Sequence, residues 1–186
     1  GFTNIPEDGW WPLFWRQAVI LNGAIDRDIA DLVGGDRENI VEHHLDQNRK
    51  NIEHRTEMLI EQARTRLKQH HAGSLPAKIA KQWSPGISQT AGLRYTENAH
   101  CPACGKTGTI EGDDVEDRSL EHHQVDEHDW DTTVELTIYS EYFSCSNCRL
   151  VLDRPELLET AGIDSTFAVD GTEDYIAHLE PEYGND

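Results

Sequence analysis

All four cysteines of the chain fall into two C-x2-C pairs, Cys101-Pro102-Ala103-Cys104 and Cys145-Ser146-Asn147-Cys148. A C-x2-C turn brings two thiolates to one cation while the intervening N–H groups point at the sulfurs. Two such turns complete a tetrahedron around zinc, with Zn–S bonds of about 2.3 Å. Gly105, just after the first pair, permits the left-handed turn that such a knuckle needs. Four thiolates fill the coordination sphere and leave no water to activate. The expected cofactor is therefore a structural Zn2+ on Cys101, Cys104, Cys145 and Cys148, not a hydrolytic one. Disulfides are the first competing chemistry, and the N-terminal residues lack the basic region and apolar run of a secretory signal. A thioredoxin-like redox pair would need one C-x-x-C inside a βαβ unit. An iron ion held by four cysteines fits the same geometry.

The pattern resembles the zinc-ribbon family over residues 99–152, and the first knuckle, Cys-Pro-Ala-Cys-Gly, is typical of it. The chain departs from that pattern in two places. The 40 residues between the knuckles exceed a minimal ribbon, so residues 111–131 read as an acidic, His-bearing insertion loop. Arg149 also stands where the family often has a second glycine.

Two weaker constellations accompany the cysteines. His122, His123 and His128 lie among Asp126, Glu127, Asp129 and Asp131, a donor mixture that suits a second zinc or manganese ion. The alternative is a solvated loop. Arg66 and His71 are separated by four residues at the end of a long helical pattern. That spacing resembles the motif of HEPN-type ribonucleases, which are helical and usually dimeric. The resemblance implies an Arg that stabilises a charged phosphate and a His that handles the ribose 2′-hydroxyl proton. Metal-free RNA cleavage needs both chemistries. Arg49 and His54 repeat the spacing, and the alternative for all of them is a solvated basic helix face.

These residues need a frame. Pro12 is expected to open a helix. Phe14, Ala18, Leu21, Ile25, Ile29 and Leu32 then recur every three or four residues as one apolar stripe, ended by Gly34-Gly35. Trp10, Trp11 and Trp15 crowd its start, as a hydrophobic plug or a protein-contact patch. Asp36 is expected to cap a second helix that meets no Pro or Gly before Gly73. Its apolar positions are Val41, Leu45, Ile52, Leu59, Ala63 and Leu67. About 36 residues would span roughly 54 Å. So long and polar a helix needs a partner along its length, from the first helix or from a second copy of the chain.

Residues 73–98, punctuated by Gly and Pro, read as a linker with a short helix at 77–83. Strands are expected at 107–110, 132–143 and 149–152, and a short helix at 155–161 with Asp153 near its start. One more helical turn is expected at 173–179, with loose residues after it. The predicted architecture is α+β: a helical hairpin over residues 1–94, linker included, then a zinc ribbon over 95–186.

The 186 residues allow one ordinary domain or two small ones, and 37 % hydrophobic residues suffice for a modest core. No apolar run approaches the roughly 20 residues of a membrane span. The net charge of −19 is lodged in one half. Residues 1–94 carry 12 basic and 12 acidic side chains, and residues 95–186 carry 4 and 23. An acidic half repels phosphate backbones and suits a basic protein partner. RNA, if bound, falls to residues 47–81, with eight basic and three acidic side chains. The leading expectation is a cytoplasmic zinc-ribbon interaction module with a helical part that dimerises or contacts nucleic acid. The alternative is a HEPN-like endoribonuclease that uses Arg66 and His71.

Overall fold

The computed structural model describes residues 7–84, 87–126 and 129–171, and these form a mixed α+β chain. Its contacts group the chain into Gly1–Arg55 and Thr56–Asp186, a division that falls inside one long helix. No helix among the described residues is long and apolar enough to cross a membrane.

The first unit holds α1 (Glu7–Gly23), α2 (Ile29–Val33) and the start of α3 (Glu38–His71). Pro12 does not open α1. It sits in the second turn, where its missing N–H removes one helix bond. The expected single stripe also breaks. The Asn22 amide turns back to the Ala18 carbonyl at 2.8 Å, and Asp26 takes a left-handed φ of +52°. The chain re-enters a helix only at Ile29. Of the six stripe residues only Ala18 is buried, whereas Phe14, Leu21, Ile25 and Leu32 are exposed. Trp11 stacks on Trp15 at 5.7 Å and lies 6.2 Å from the ring of His44 in α3.

The helix α3 has 34 residues, about 51 Å at the usual rise. Asp36 lies in the preceding turn and is not its cap, because the helix begins at Glu38. All six expected apolar positions lie on its covered side: Val41 and Ala63 are buried and the other four half-buried. Thr56 is buried between them. On the exposed side Arg49 and Lys50 meet the Asp46 carboxylate at 2.6 and 2.7 Å, which neutralises part of the basic segment.

The second unit continues from α3 through α4 (Ala77–Ala80) and a 3₁₀ turn (Lys81–Trp83), where the short helix was expected. Two antiparallel sheets follow. One runs β1 (Tyr95–His100), β2 (Thr107–Gly112), β5 (Tyr142–Ser144) and β6 (Val151–Leu152) in that order. The other places β4 (Asp129–Tyr139) between β3 (Val115–Asp126) and β7 (Thr166–Asp170). The short helix α5 (Pro155–Thr160) buries Leu157 and Leu158.

The acidic insertion is not a loop. Its residues enter β3, which pairs with β4 from Val115 opposite Ile138 to Asp126 opposite Asp129. An acidic segment is held extended here by its neighbour. The strand β4 buries Val134, Leu136 and Ile138 on one face, and Tyr95, Val115, Phe167 and Val169 pack against them. The strand expected over 132–143 is two strands in different sheets. The chain crosses over at Ser140 and Glu141, whose N–H groups bond Ser165 and Glu111 carbonyls at 2.8 and 3.0 Å. Residues 173–186 lie outside the described residues.

Candidate metal centre

Two hairpins carry the cysteines. Cys101 and Cys104 lie in the turn between β1 and β2, and Cys145 and Cys148 in the turn between β5 and β6. Strands β2 and β5 pair, with Thr109 opposite Ser144, and this sets the two turns side by side. The four Sγ atoms then lie within 4.8 Å of one another. Cys101 and Cys148 are 3.5 Å apart, and Cys104 and Cys145 3.7 Å. A disulfide would bring two sulfurs to about 2.05 Å, so these are four thiols and no bridge. Four sulfurs at about 2.3 Å from a central ion would stand about 3.8 Å apart, so the observed spacing fits a tetrahedral metal site. Cys101, Cys145 and Cys148 are buried and Cys104 half-buried.

The two turns share one hydrogen-bond plan. Gly105 N–H bonds the Cys101 carbonyl and Arg149 N–H bonds the Cys145 carbonyl, both at 2.9 Å. Cys101 N–H bonds Lys106 and Cys145 N–H bonds Leu150, again at 2.9 Å. Gly105 and Arg149 both take left-handed backbones, with φ of +68° and +62°. The N–H groups of Ala103 and Cys104 donate to the Cys101 sulfur, and those of Asn147 and Cys148 to the Cys145 sulfur.

Charge is not shared evenly among the sulfurs. Hydrogen bonds from the Cys101 and Cys148 thiols hold Cys145 well below the usual thiol range. Cys101 and Cys148 are pushed up in turn, because each donates its proton to a neighbouring sulfur and because both are buried. A cation held by four thiolates displaces the thiol protons that remain.

Residues outside the turns grip them from behind. Arg64 of α3 donates through Nε to the Ala103 carbonyl and through Nη2 to the Pro102 carbonyl, each at 3.0 Å. The Trp83 indole N–H donates to the Asn147 carbonyl at 3.3 Å, and His70 stacks on the Trp83 ring at 5.0 Å. From the second turn itself, Arg149 Nη1 donates to the Ile87 carbonyl at 2.8 Å. Gly108 lies beneath Phe143, where a Cβ would overlap the aromatic ring.

One buried carboxylate supports the same region. Glu111 in β2 is fully buried. It accepts N–H bonds from Ala91, Gly92 and Leu93 at 3.0, 2.8 and 3.2 Å. Tyr142, opposite it in β5, donates its hydroxyl to the Gln89 carbonyl at 2.7 Å. The segment 89–93 is thereby strapped across both strands. Neither Arg64 nor Glu111 stands out in the sequence. The departure from glycine at Arg149 was the one visible signal.

Among the described residues, no other expected site residue joins the four cysteines. Arg66 is half-buried and lines a groove of about 520 Å³ with Gln62, Thr65, Gln69 and Ile79. His71 is exposed. Five helical residues turn through roughly 140° net, so the two do not share a face of α3. His122, His123, Asp126, Asp129 and Asp131 belong to the backbone of β3 and β4. Glu127 and His128 lie outside the described residues. No family model, no curated protein and no solved structure matches the chain.

Proposed function

We propose that the four cysteines hold a structural zinc ion in a zinc-ribbon arrangement, and that the chain is an interaction module built on it. The observation that carries this reading is the closed cluster of four sulfurs, three of them buried, with N–H groups aimed at them. An all-sulfur, tetrahedral donor set of this kind favours zinc, or iron as the alternative. The ion, when bound, supplies a rigid cross-link between two hairpins. The residues supply the rest: β2 and β5 align the turns, and the turn amides spread the negative charge. Four reduced thiols suit the cytoplasm.

The excess acid of residues 95–186 then serves as a platform for a basic protein partner. The helices α1 and α3, arranged as a hairpin, would supply the second contact, to a further copy of the chain or to RNA through residues 47–81. Anisotropy titrations of the zinc-loaded chain test this with a Lys/Arg-rich peptide and a single-stranded RNA at low and high salt. The expected result is peptide binding that weakens as salt rises, with the RNA bound more weakly. No binding of the peptide at low salt would overturn the platform.

A ribonuclease reading draws on one observation, the groove that Arg66 lines. Because His71 sits on another face of α3, a cleft with both residues would take the His71 of a second chain in a homodimer. RNA cleavage in EDTA that is lost in both Arg66→Ala and His71→Ala would establish it. Absence of cleavage, or equal cleavage in the variants, removes the site.

A further inference from the structure

The bonds that Arg64 and Trp83 make end on peptide groups that also face the sulfurs. The carbonyl of Pro102 and the N–H of Ala103 belong to one peptide unit. So do the carbonyl of Ala103 and the N–H of Cys104. In a trans peptide the carbonyl and the N–H point in opposite directions. Arg64 therefore holds the outer ends of the two peptide groups whose inner ends donate to the Cys101 sulfur. The second turn repeats the scheme. Trp83 holds the outer end of the peptide between Asn147 and Cys148, whose N–H donates to the Cys145 sulfur.

Hydrogen bonds linked in series polarise one another. A guanidinium on the carbonyl makes the opposite N–H a stronger donor, and a thiolate on the N–H makes the carbonyl a stronger acceptor. The coupling is reciprocal. We propose that Arg64 and Trp83 are positioning residues of the metal centre, and that they form a latch coupling metal occupancy to docking of the α3 end and of residues 77–84 and 87–93. The side chains bring their surroundings with them. Arg64 carries the last turns of α3. Trp83 carries the 3₁₀ turn and stacks on His70. Arg149, from within the second turn, ties in Ile87. Filling the sulfur cluster fastens this layer, and emptying it loosens the layer.

This rests on the reading of the cysteines as a metal site, and one titration separates the two. Zn2+ competition and Co2+ spectra are recorded on the full chain, on Arg64→Ala, Arg64→Lys and Trp83→Phe, and on Lys68→Ala as an exposed control. Arg64→Ala is expected to weaken metal binding about tenfold, Trp83→Phe less, and Lys68→Ala not at all. Arg64→Lys, which keeps the charge and loses the two-pronged geometry, should fall between wild type and Arg64→Ala. The thiolate-to-Co2+ charge-transfer band should move to lower energy in Arg64→Ala, because weaker N–H···S bonds leave the thiolates better electron donors. Amide exchange on the wild-type chain is the second measurement. Chelation should open residues 56–71, 77–84 and 87–93 together with the two turns. Unchanged affinity and band position in both Arg64→Ala and Trp83→Phe, or turns that open while the α3 end keeps its protection, overturns the latch alone. A chain that takes up neither ion overturns the metal reading and the latch together.

Discussion

The two cysteine turns make the same backbone bonds, yet one closes on glycine and the other on arginine. Gly105 adopts its left-handed backbone without steric cost, and its turn is held from outside by Arg64. Arg149 adopts the same backbone against the preference of an L-residue, at roughly 1–2 kcal/mol. Its side chain reaches out to the Ile87 carbonyl instead. One turn receives its outer support and the other provides some of its own. The second turn thus pairs a strained backbone at Arg149 with a side-chain contact that the glycine of the first turn cannot make.

The largest effect is expected on removing one candidate ligand from each turn. Cys101→Ser and Cys148→Ser should both abolish metal retention and the cooperative thermal transition of the β-sheet region, read by metal analysis and circular dichroism. Loss in only one of them would mean that the turns do not share an ion. Next comes Glu111→Leu, which leaves three buried N–H groups without their carboxylate. It should destabilise the fold by about 3–5 kcal/mol in denaturant titrations. An effect below about 1 kcal/mol would show that the 89–93 strap is not what anchors the layer Arg149 holds.

Smaller effects separate the two closing residues. Gly105→Ala should cost about 1 kcal/mol through backbone strain alone. Arg149→Gly should be close to neutral, because relief of strain is offset by loss of the Ile87 bond at about 1 kcal/mol. Arg149→Ala keeps the strain and loses the bond, so it should be the worse of the two. Denaturant midpoints with unchanged slopes would check the order, and Arg149→Ala at least as stable as Arg149→Gly would break it. The least effect is expected from Asp46→Asn. Its exposed ion pairs lie in the first unit, so metal affinity and the β-sheet transition should not move.

What the sequence revealed follows from how local each signal is. The cysteine turns were legible because spacing and residue type are themselves the mechanism. The helix α3 was legible from its long run without Gly or Pro. The face of β4 was legible from the alternation of Val134, Leu136 and Ile138. The strand β3 was not, since its acidic residues carry no apolar alternation and its extended form comes from pairing with β4. The break in the first helix was hidden because its apolar stripe continues past Gly23, although most of that stripe lies exposed. Glu111 was invisible for a different reason. Its partners are backbone N–H groups 18–20 residues away, which have no sequence signature.

The zinc-ribbon proposal requires that four cysteines from two hairpins hold one metal ion. Stepwise addition of Co2+ to the reduced, chelator-treated chain without oxygen tests it most directly, with Zn2+ added afterwards. Saturation is expected at one equivalent, with the intense visible bands of tetrahedral cobalt and thiolate charge transfer, all erased by Zn2+. Absence of those bands, or a weak octahedral spectrum unaffected by Zn2+, would contradict it.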